Sequence, residues 1–286
     1  MISANITLQE VIVDIPGSRG VLRGILHCPE KTSTVKKPAV VFLHGWSGCR
    51  LGPHRMFVHM ARSLSHQGYY SIRFDFNGHG ESDGNIADST IVSMVDDVLH
   101  VISFMKGKNY ADEFALVGIC SGSKVAIATT TQCDSVTNLV LWSPEPLGSM
   151  RTSTTAFQHV LSRTGEYFRK LRDLSTWKKL LTGKINLKLV RRAIVPSEQP
   201  DKDEKSQEDK WLEQFKNYQG RVLIVYGGKD VPTVNAVPKY ASFFRQHGIL
   251  YSTHRVAKSN HSFYSIDWER EVLTVSINWL STSSTL

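Results

Sequence analysis

One pentapeptide, GICSG at residues 118–122, restricts the fold of this chain more than any other segment. An apolar run with strand character leads into it, and a segment of helical propensity follows it. A strand that turns so sharply into a helix leaves no room for a Cβ two residues before or after the turn, so both positions need very small residues. Gly118 and Gly122 frame Cys120 in this way, whereas larger residues flank the adjacent Ser121. Cys120, and not Ser121, is therefore the candidate nucleophile.

Along the rest of the chain, strand-like runs alternate with helix-like runs. This alternation predicts an α/β protein with a mostly parallel central sheet and helices on both faces. An antiparallel hairpin is expected at the start, over residues 6–15 and 20–27. The other predicted strands are 39–43, 69–76, 114–117, 138–142, 221–226 and 250–256, and the predicted helices are 54–66, 89–105 and 264–280.

The pattern changes between residues 147 and 219, which are basic, helical in propensity and almost free of strand signals. We interpret 147–219 as a helical cap inserted into a core formed by residues 1–146 and 220–286. The polar run at 196–210 predicts an exposed loop within the cap.

Aromatic residues recur at roughly helical spacing in this predicted cap. Phe157, Phe168 and Trp177 are the candidates for lining a substrate pocket. Packing of the cap helices against the core explains the same spacing, so both interpretations stay open.

Composition limits the classes of protein to which the chain can belong. Its 286 residues are 41% apolar and 21% charged, as in ordinary soluble globular proteins. Much of the net charge of +8 lies between residues 151 and 210, which fits either a solvated surface or an acidic partner. No nucleic-acid motif accompanies the charge, so we expect no nucleic-acid partner. The sequence shows no apolar stretch that could span a bilayer and no secretory signal pattern, which predicts a cytoplasmic protein without a membrane span.

The four cysteines have neither metal-ligand spacing nor the density of a disulfide framework. A dinucleotide-binding fingerprint is also absent from the sequence. We therefore expect neither a metal nor a cofactor.

The run DFNGHGES at residues 75–82 resembles a turn found in α/β hydrolases, in the branch of monoacylglycerol lipases and serine-aminopeptidase-like hydrolases. The glycines of such a turn serve the backbone, so we interpret His79 as a structural residue. The resemblance covers nearly the whole chain. It implies the α/β-hydrolase fold, with an inserted helical cap.

The resemblance also implies the other members of a catalytic triad. Asp230 in the run GGKD matches the position of the family's acid, and His261 in the run SNHSF matches its base. Together with Cys120 they follow the order nucleophile, acid, histidine. Glu145, after the preceding predicted strand, is the alternative acid, and His254 is the competing histidine.

The loop HGWSG at residues 44–48 follows an apolar predicted strand. Its glycines allow the backbone to turn over the sheet edge and to offer an N–H to a developing oxyanion. Trp46 is the expected donor, with Ser47 as the alternative. The backbone N–H of Ser121 is the expected second donor.

A cysteine nucleophile narrows the range of substrates. Because a thiolate leaves a tetrahedral adduct more readily than an alkoxide or an amine, unactivated esters and amides tend to revert, whereas thioesters and activated enol esters do not. Dienelactone hydrolases share the Gly-x-Cys-x-Gly pattern and act on an enol lactone, in keeping with this argument. A nearby histidine and a helix N-terminus both favour thiolate, so we expect a resting ion pair between Cys120 and His261.

These observations predict a cysteine-dependent acyl hydrolase, that is, a thioesterase or activated-ester esterase acting through an acyl-enzyme. An acyltransferase that moves an acyl or aminoacyl group between thioesters with the same triad is the first alternative. The expected partner is a small-molecule acyl substrate, either free or carried by coenzyme A or an acidic carrier protein. The second alternative is a disabled hydrolase-fold protein, or one with an engineered serine-to-cysteine change.

Overall fold

The computed structural model of the protein describes residues 10–29, 37–150 and 202–282. Within these ranges, the chain forms one mixed sheet whose strands lie in the order β1-β2-β4-β3-β5-β6-β7-β8. The strands are β1 (Glu10–Gly17), β2 (Gly20–His27), β3 (Ala39–Leu43), β4 (Ser71–Phe74), β5 (Phe114–Ile119), β6 (Val136–Trp142), β7 (Arg221–Gly227) and β8 (Leu250–Val256). The α-helices are α1 (Met56–His66), α2 (Ile91–Gly107), α3 (Ser121–Thr130), α4 (Lys202–Phe215), α5 (Val231–Gln246) and α6 (Ile266–Ser281).

The sheet is antiparallel only at its first edge. β1 pairs with β2 and β2 with β4 in antiparallel fashion, and every later pair of neighbours runs parallel. The predicted mostly parallel α/β architecture is confirmed. Because the strands from β3 to β8 point the same way, the loops that follow them meet at one edge of the sheet, where open α/β sheets carry their sites.

Strands β3 and β5, in the middle of the sheet, carry no polar side chains. All residues of β3 and of β5 are buried. Fully apolar runs of this kind are typical of parallel strands that are enclosed on both sides. The edge strand β8 is largely exposed instead.

Some predicted elements differ from the structure. The prediction of an exposed loop is wrong for 202–210, which belong to helix α4. Lysine, glutamate and glutamine are good helix formers, and Asp203 and Glu204 in the first turn complement the helix dipole. Helix α1 begins at Met56 and not at His54, because His54 and Arg55 have positive φ angles.

The chain divides into two compact units, one formed by Met1–Glu145 with Glu213–Leu286 and the other by Pro146–Leu212. The cap candidates Phe157, Phe168 and Trp177 lie outside the described residues, and their role stays a prediction. No helix within the described ranges is both long enough and apolar enough to cross a lipid bilayer.

The turn between β5 and α3 depends on its two glycines. A Cβ on Gly118 would lie 2.4 Å from the carbonyl oxygen of Gly122, and a Cβ on Gly122 would lie 2.2 Å from that of Leu43. Real Cβ atoms do not approach backbone atoms so closely. Both glycines are buried. The sequence-based requirement for glycine therefore has a direct steric cause.

We expect Gly122→Ala to lower the free energy of unfolding by about 1–3 kcal/mol, because α3 must move away from β3 to admit the methyl group. The matched control is Gly107→Ala at the end of α2, where a Cβ meets nothing within 4 Å. That variant should be neutral or slightly more stable. Urea unfolding midpoints measure both effects, and equal midpoints for the two variants would contradict the steric argument.

Candidate active site

Cys120 lies at the carboxyl edge of the sheet, in the turn between β5 and α3. Its backbone angles are φ 57° and ψ −123°, a region that residues with a side chain seldom adopt. A strained turn of this kind directs the side chain of a nucleophile away from the strand and the helix. The thiol is half-buried there.

Asp230 and His261 come from the loops after β7 and β8, and the structure brings them together. The Nδ1 atom of His261 lies 2.7 Å from Oδ2 of the buried Asp230. The two loops can approach because Gly227 and Gly228 lack side chains: a Cβ on either would lie within 2.4 Å of a carbonyl oxygen in the β8 loop. Thr233 Oγ1 also donates to the Asp230 carboxylate.

The two competing candidates are held in different places. His254 Nε2 in β8 is 2.7 Å from Glu271 of α6, so this ring is engaged at the edge of the sheet. Glu145, the alternative acid, contacts Cys120. The Cys120 thiol donates to Glu145 Oε1 at 3.0 Å, and Glu145 Oε2 lies 3.1 Å from Lys124 Nζ.

Sequence reasoning missed Lys124 altogether. It lies four residues after Cys120 and is buried, with its ammonium group paired to Glu145. In a helix, residues four apart share a face, so a lysine at this spacing from Cys120 was a usable signal. The pair places a carboxylate and an ammonium group beside the sulfur.

The pKa shifts of Cys120 and His261 act in opposite directions on the expected resting ion pair. Burial raises the pKa of the Cys120 thiol, and the charge of Glu145 raises it further, while His261 acts in the opposite direction. Burial lowers the pKa of His261, but hydrogen bonds to Asp230 and Cys120 outweigh this and hold that pKa well above its ordinary value. Burial and the Glu145 carboxylate thus disfavour the thiolate, whereas the raised pKa of His261 favours the charged imidazole, and the resting ion pair stays a prediction.

Glu145→Gln is expected to lower the pKa of Cys120, because it removes the negative charge beside the thiol and leaves the Lys124 charge in place. At neutral pH, below the pKa of the thiol, the variant then has a larger thiolate fraction than the unmodified protein. Its alkylation by iodoacetamide should therefore be about three- to tenfold faster. The rate of alkylation measured against pH tests this.

The control is Glu113→Gln, the same change at an exposed position just before β5, at the other end of the strand from Cys120. It should leave the alkylation profile in place. A Glu145→Gln profile identical to that of the unmodified protein would show that the carboxylate does not set the pKa.

The loop after β3 lies against the start of α3. The backbone N–H of Trp46, an expected oxyanion donor, donates to Ser121 Oγ at 2.7 Å. On the other side, His79 Nε2 lies 2.9 Å from the carbonyl oxygen of Trp46. His79 thus contacts the backbone of this loop, as a residue with a structural role would.

A buried carboxylate ties the same loop to the turn at 75–84. Asp75 accepts a hydrogen bond from the backbone N–H of Arg50 at 2.6 Å and from that of Glu81 at 3.1 Å. Its carboxylate also forms an ion pair with the Arg50 side chain. These bonds explain why the turn carries an aspartate at its start.

The described residues include no group of three or more His, Cys, Asp or Glu side chains that could hold a metal ion. All four cysteines are free thiols. The chemistry that this arrangement supports is nucleophilic attack by sulfur, with proton transfer through an imidazole that a carboxylate orients.

Comparison with known sequences identifies relatives of the chain. The profile of the family Hydrolase_4, described as serine aminopeptidase, S33, matches residues 34–218. Lysophosphatidylserine lipase ABHD12 of Xenopus tropicalis is 33% identical over 119 residues, which are 40% of this chain and 30% of that protein. The same lipase of Gallus gallus is 34% identical over 89 residues, or 31% of this chain and 22% of that protein. The matches thus span less than a third of the length of these curated relatives.

Solved structures show the same fold at low sequence identity. The esterase Pf2001 of Pyrococcus furiosus has a TM-score of 0.67 at 17% identity, covering 98% of this chain and 94% of the esterase. Est1E of Butyrivibrio proteoclasticus, solved with ferulic acid, has a TM-score of 0.64 at 19% identity, with 94% and 98% covered. A dienelactone hydrolase of Anabaena variabilis has a TM-score of 0.63 at 13% identity, with 96% and 98% covered. These likenesses establish the α/β-hydrolase fold.

Proposed function

Because the chain belongs to the serine aminopeptidase, S33 family of α/β hydrolases, we propose that it is a cysteine-dependent acyl hydrolase that prefers thioesters or activated esters. Cys120 is the nucleophile, His261 the base and Asp230 the residue that orients the base. One observation carries this proposal: a cysteine with positive φ occupies the nucleophile turn, and His261, which acts to lower the pKa of that thiol, faces a buried carboxylate through Nδ1.

The first half of the reaction transfers the acyl group to sulfur. The thiol proton of Cys120 passes to the neutral imidazole of His261 as sulfur attacks the carbonyl carbon. The new C–S bond converts the carbonyl oxygen into an oxyanion. When the adduct collapses, the bond to the leaving group breaks and the leaving sulfur or oxygen takes the proton from His261.

The second half releases the product. Water gives a proton to His261 as its oxygen attacks the acyl carbon, which forms a second tetrahedral adduct. Collapse of this adduct breaks the C–S bond, liberates the carboxylic acid and returns the proton to Cys120. Asp230 stabilises the charged imidazole in both halves.

The sulfur nucleophile determines which leaving groups are useful. A thioester exchanges with Cys120 almost without change in free energy, since a C–S bond replaces a C–S bond. An unactivated ester forms an adduct from which Cys120 departs more readily than the alcohol. We therefore assign thioesters and activated esters as the substrate class.

A second candidate is a lipase acting on lysophospholipid esters, favoured by the identity of 33% to a protein named lysophosphatidylserine lipase. It requires the enzyme to protonate an alcohol leaving group while Cys120 is still bound to the acyl carbon. The two candidates predict opposite preferences between a thioester and an ester of the same acyl group.

Steady-state turnover of matched octanoyl substrates, one an N-acetylcysteamine thioester and one a lysophospholipid ester, separates these candidates. We expect kcat/KM to favour the thioester, and Cys120→Ser to lose thioester turnover more than it loses turnover of an activated ester. Preference for the lysophospholipid ester would favour the lipase. If neither the thioester nor the ester is turned over, with octanoyl or with any other acyl chain, both candidates are rejected. Acceleration by an added thiol acceptor would instead identify the acyltransferase alternative.

A further inference from the structure

The hydroxyl group of Ser121 lies next to the nucleophile, at the place where the oxyanion donors were expected. Ser121 is the first residue of α3, and its side chain is buried. A Cβ placed on Gly45 would lie 3.4 Å from Cys120 Cβ and 3.7 Å from Ser121 Oγ. The loop after β3 thus lies against both side chains, and no side chain of its own separates them at Gly45.

The Ser121 hydroxyl can form more hydrogen bonds than the one observed. A serine hydroxyl offers one donor and two acceptor positions. Ser121 Oγ accepts the backbone N–H of Trp46 at 2.7 Å, and none of the residues that the structure describes accepts the hydroxyl hydrogen. A buried donor without an acceptor is costly, so this hydrogen suits a group that binds beside Cys120.

We propose that the Ser121 hydroxyl is the second oxyanion donor, acting beside the backbone N–H of the same residue, and that Trp46 acts through it. This inference rests on the proposed function. In the tetrahedral adduct on sulfur, the Ser121 O–H donates to the oxyanion while the Trp46 N–H donates to Ser121 Oγ. Each bond in such a chain polarises the next, which strengthens the donor that faces the negative charge. Ser121 forms no covalent bond in this role.

The inference replaces the direct role expected for the Trp46 N–H. In the direct arrangement, the Ser121 side chain rotates away when substrate binds and the Trp46 amide donates to the oxyanion. The two arrangements make opposite predictions for Ser121→Ala. Removal of the hydroxyl destroys the relay, whereas it leaves the direct donor more accessible.

Two small reagents that react with the same sulfur test the inference. p-Nitrophenyl acetate acetylates Cys120 through a tetrahedral oxyanion, whereas iodoacetamide alkylates it by displacement at a saturated carbon, where no oxyanion forms. The rates of both reactions are measured for the unmodified protein and for Ser121→Ala. Thr129→Val is the matched control, because it removes another buried hydroxyl of α3, one that bonds to the Val125 carbonyl.

We expect Ser121→Ala to slow acetylation about 10²- to 10³-fold, with alkylation unchanged, because only acetylation needs the lost donor. Thr129→Val should leave both rates unchanged. Ser121→Ala with undiminished or faster acetylation would overturn the inference in favour of the direct Trp46 donor. Equal slowing of both reactions would also overturn it, since Ser121 would then position or activate the thiol.

The experiment separates this inference from the function on which it rests. If the unmodified protein is acetylated at Cys120 and Ser121→Ala reacts equally fast, the inference alone fails. If p-nitrophenyl acetate does not acetylate Cys120 in the unmodified protein, the proposed function fails, and the inference is overturned with it.

Discussion

Cys120→Ala is expected to abolish turnover of acyl thioesters, with kcat/KM lowered by at least about 10³-fold. The variant keeps the two glycines and the backbone of the turn but has no atom that can form the acyl-enzyme. Any residual activity would come from water attacking a substrate that the remaining groups bind and polarise. The loss is measured from the rate at which thioester hydrolysis releases free thiol.

The control for this variant is Cys133→Ala. Cys133 is another half-buried free thiol, and its sulfur contacts Ser135 before β6. It should retain full activity, and both variants should unfold at temperatures close to that of the unmodified protein. Retained turnover in Cys120→Ala would show that another residue is the nucleophile, and the first group to examine would then be Ser121.

Asp230→Asn is expected to lower the rate of acyl-enzyme formation by about 10²- to 10⁴-fold. The carboxylate accepts the Nδ1 proton of His261, which leaves the other ring nitrogen free to take the thiol proton. An amide group can donate to Nδ1 and so stabilise the wrong tautomer. It also removes the negative charge that raises the pKa of His261. Stopped-flow acylation with an activated ester measures the effect.

Asp267→Asn provides the comparison for this second variant, because that carboxylate is exposed on α6. It should acylate at the rate of the unmodified protein. A loss below about tenfold in Asp230→Asn would indicate that the histidine is oriented by something else. Glu145, the carboxylate already at the sulfur, would then be the residue to replace next.

The site elements that the sequence predicts are those that depend on steric necessity. Gly118 and Gly122 are required because backbone atoms lie within 2.4 Å of where their Cβ atoms would be. The buried strands β3 and β5 are predictable because a fully apolar run suits a strand covered on both faces. Asp230 and His261 were predicted differently, from the resemblance to α/β hydrolases, whose order of nucleophile, acid and histidine they follow along the chain.

Pairings between side chains that are distant in sequence were not predictable. The ion pair of Lys124 with Glu145 joins a helix to the loop after the next strand, and its carboxylate adds to the effect of burial in raising the pKa of the thiol. Helix α5 escaped prediction because it contains prolines at 232 and 238, which usually argue against a helix. The first of them lies in the opening turn, where proline is compatible with helix.

The central claim is that Cys120 carries the acyl group, and the most direct test is the mass of the intact protein after brief mixing with an acyl thioester. The account predicts a gain of one acyl mass, located on the peptide that contains Cys120, and no gain in Cys120→Ala. An acyl group found on Ser121 or on any other residue would contradict it. So would turnover of the thioester without any adduct, even after rapid acid quenching.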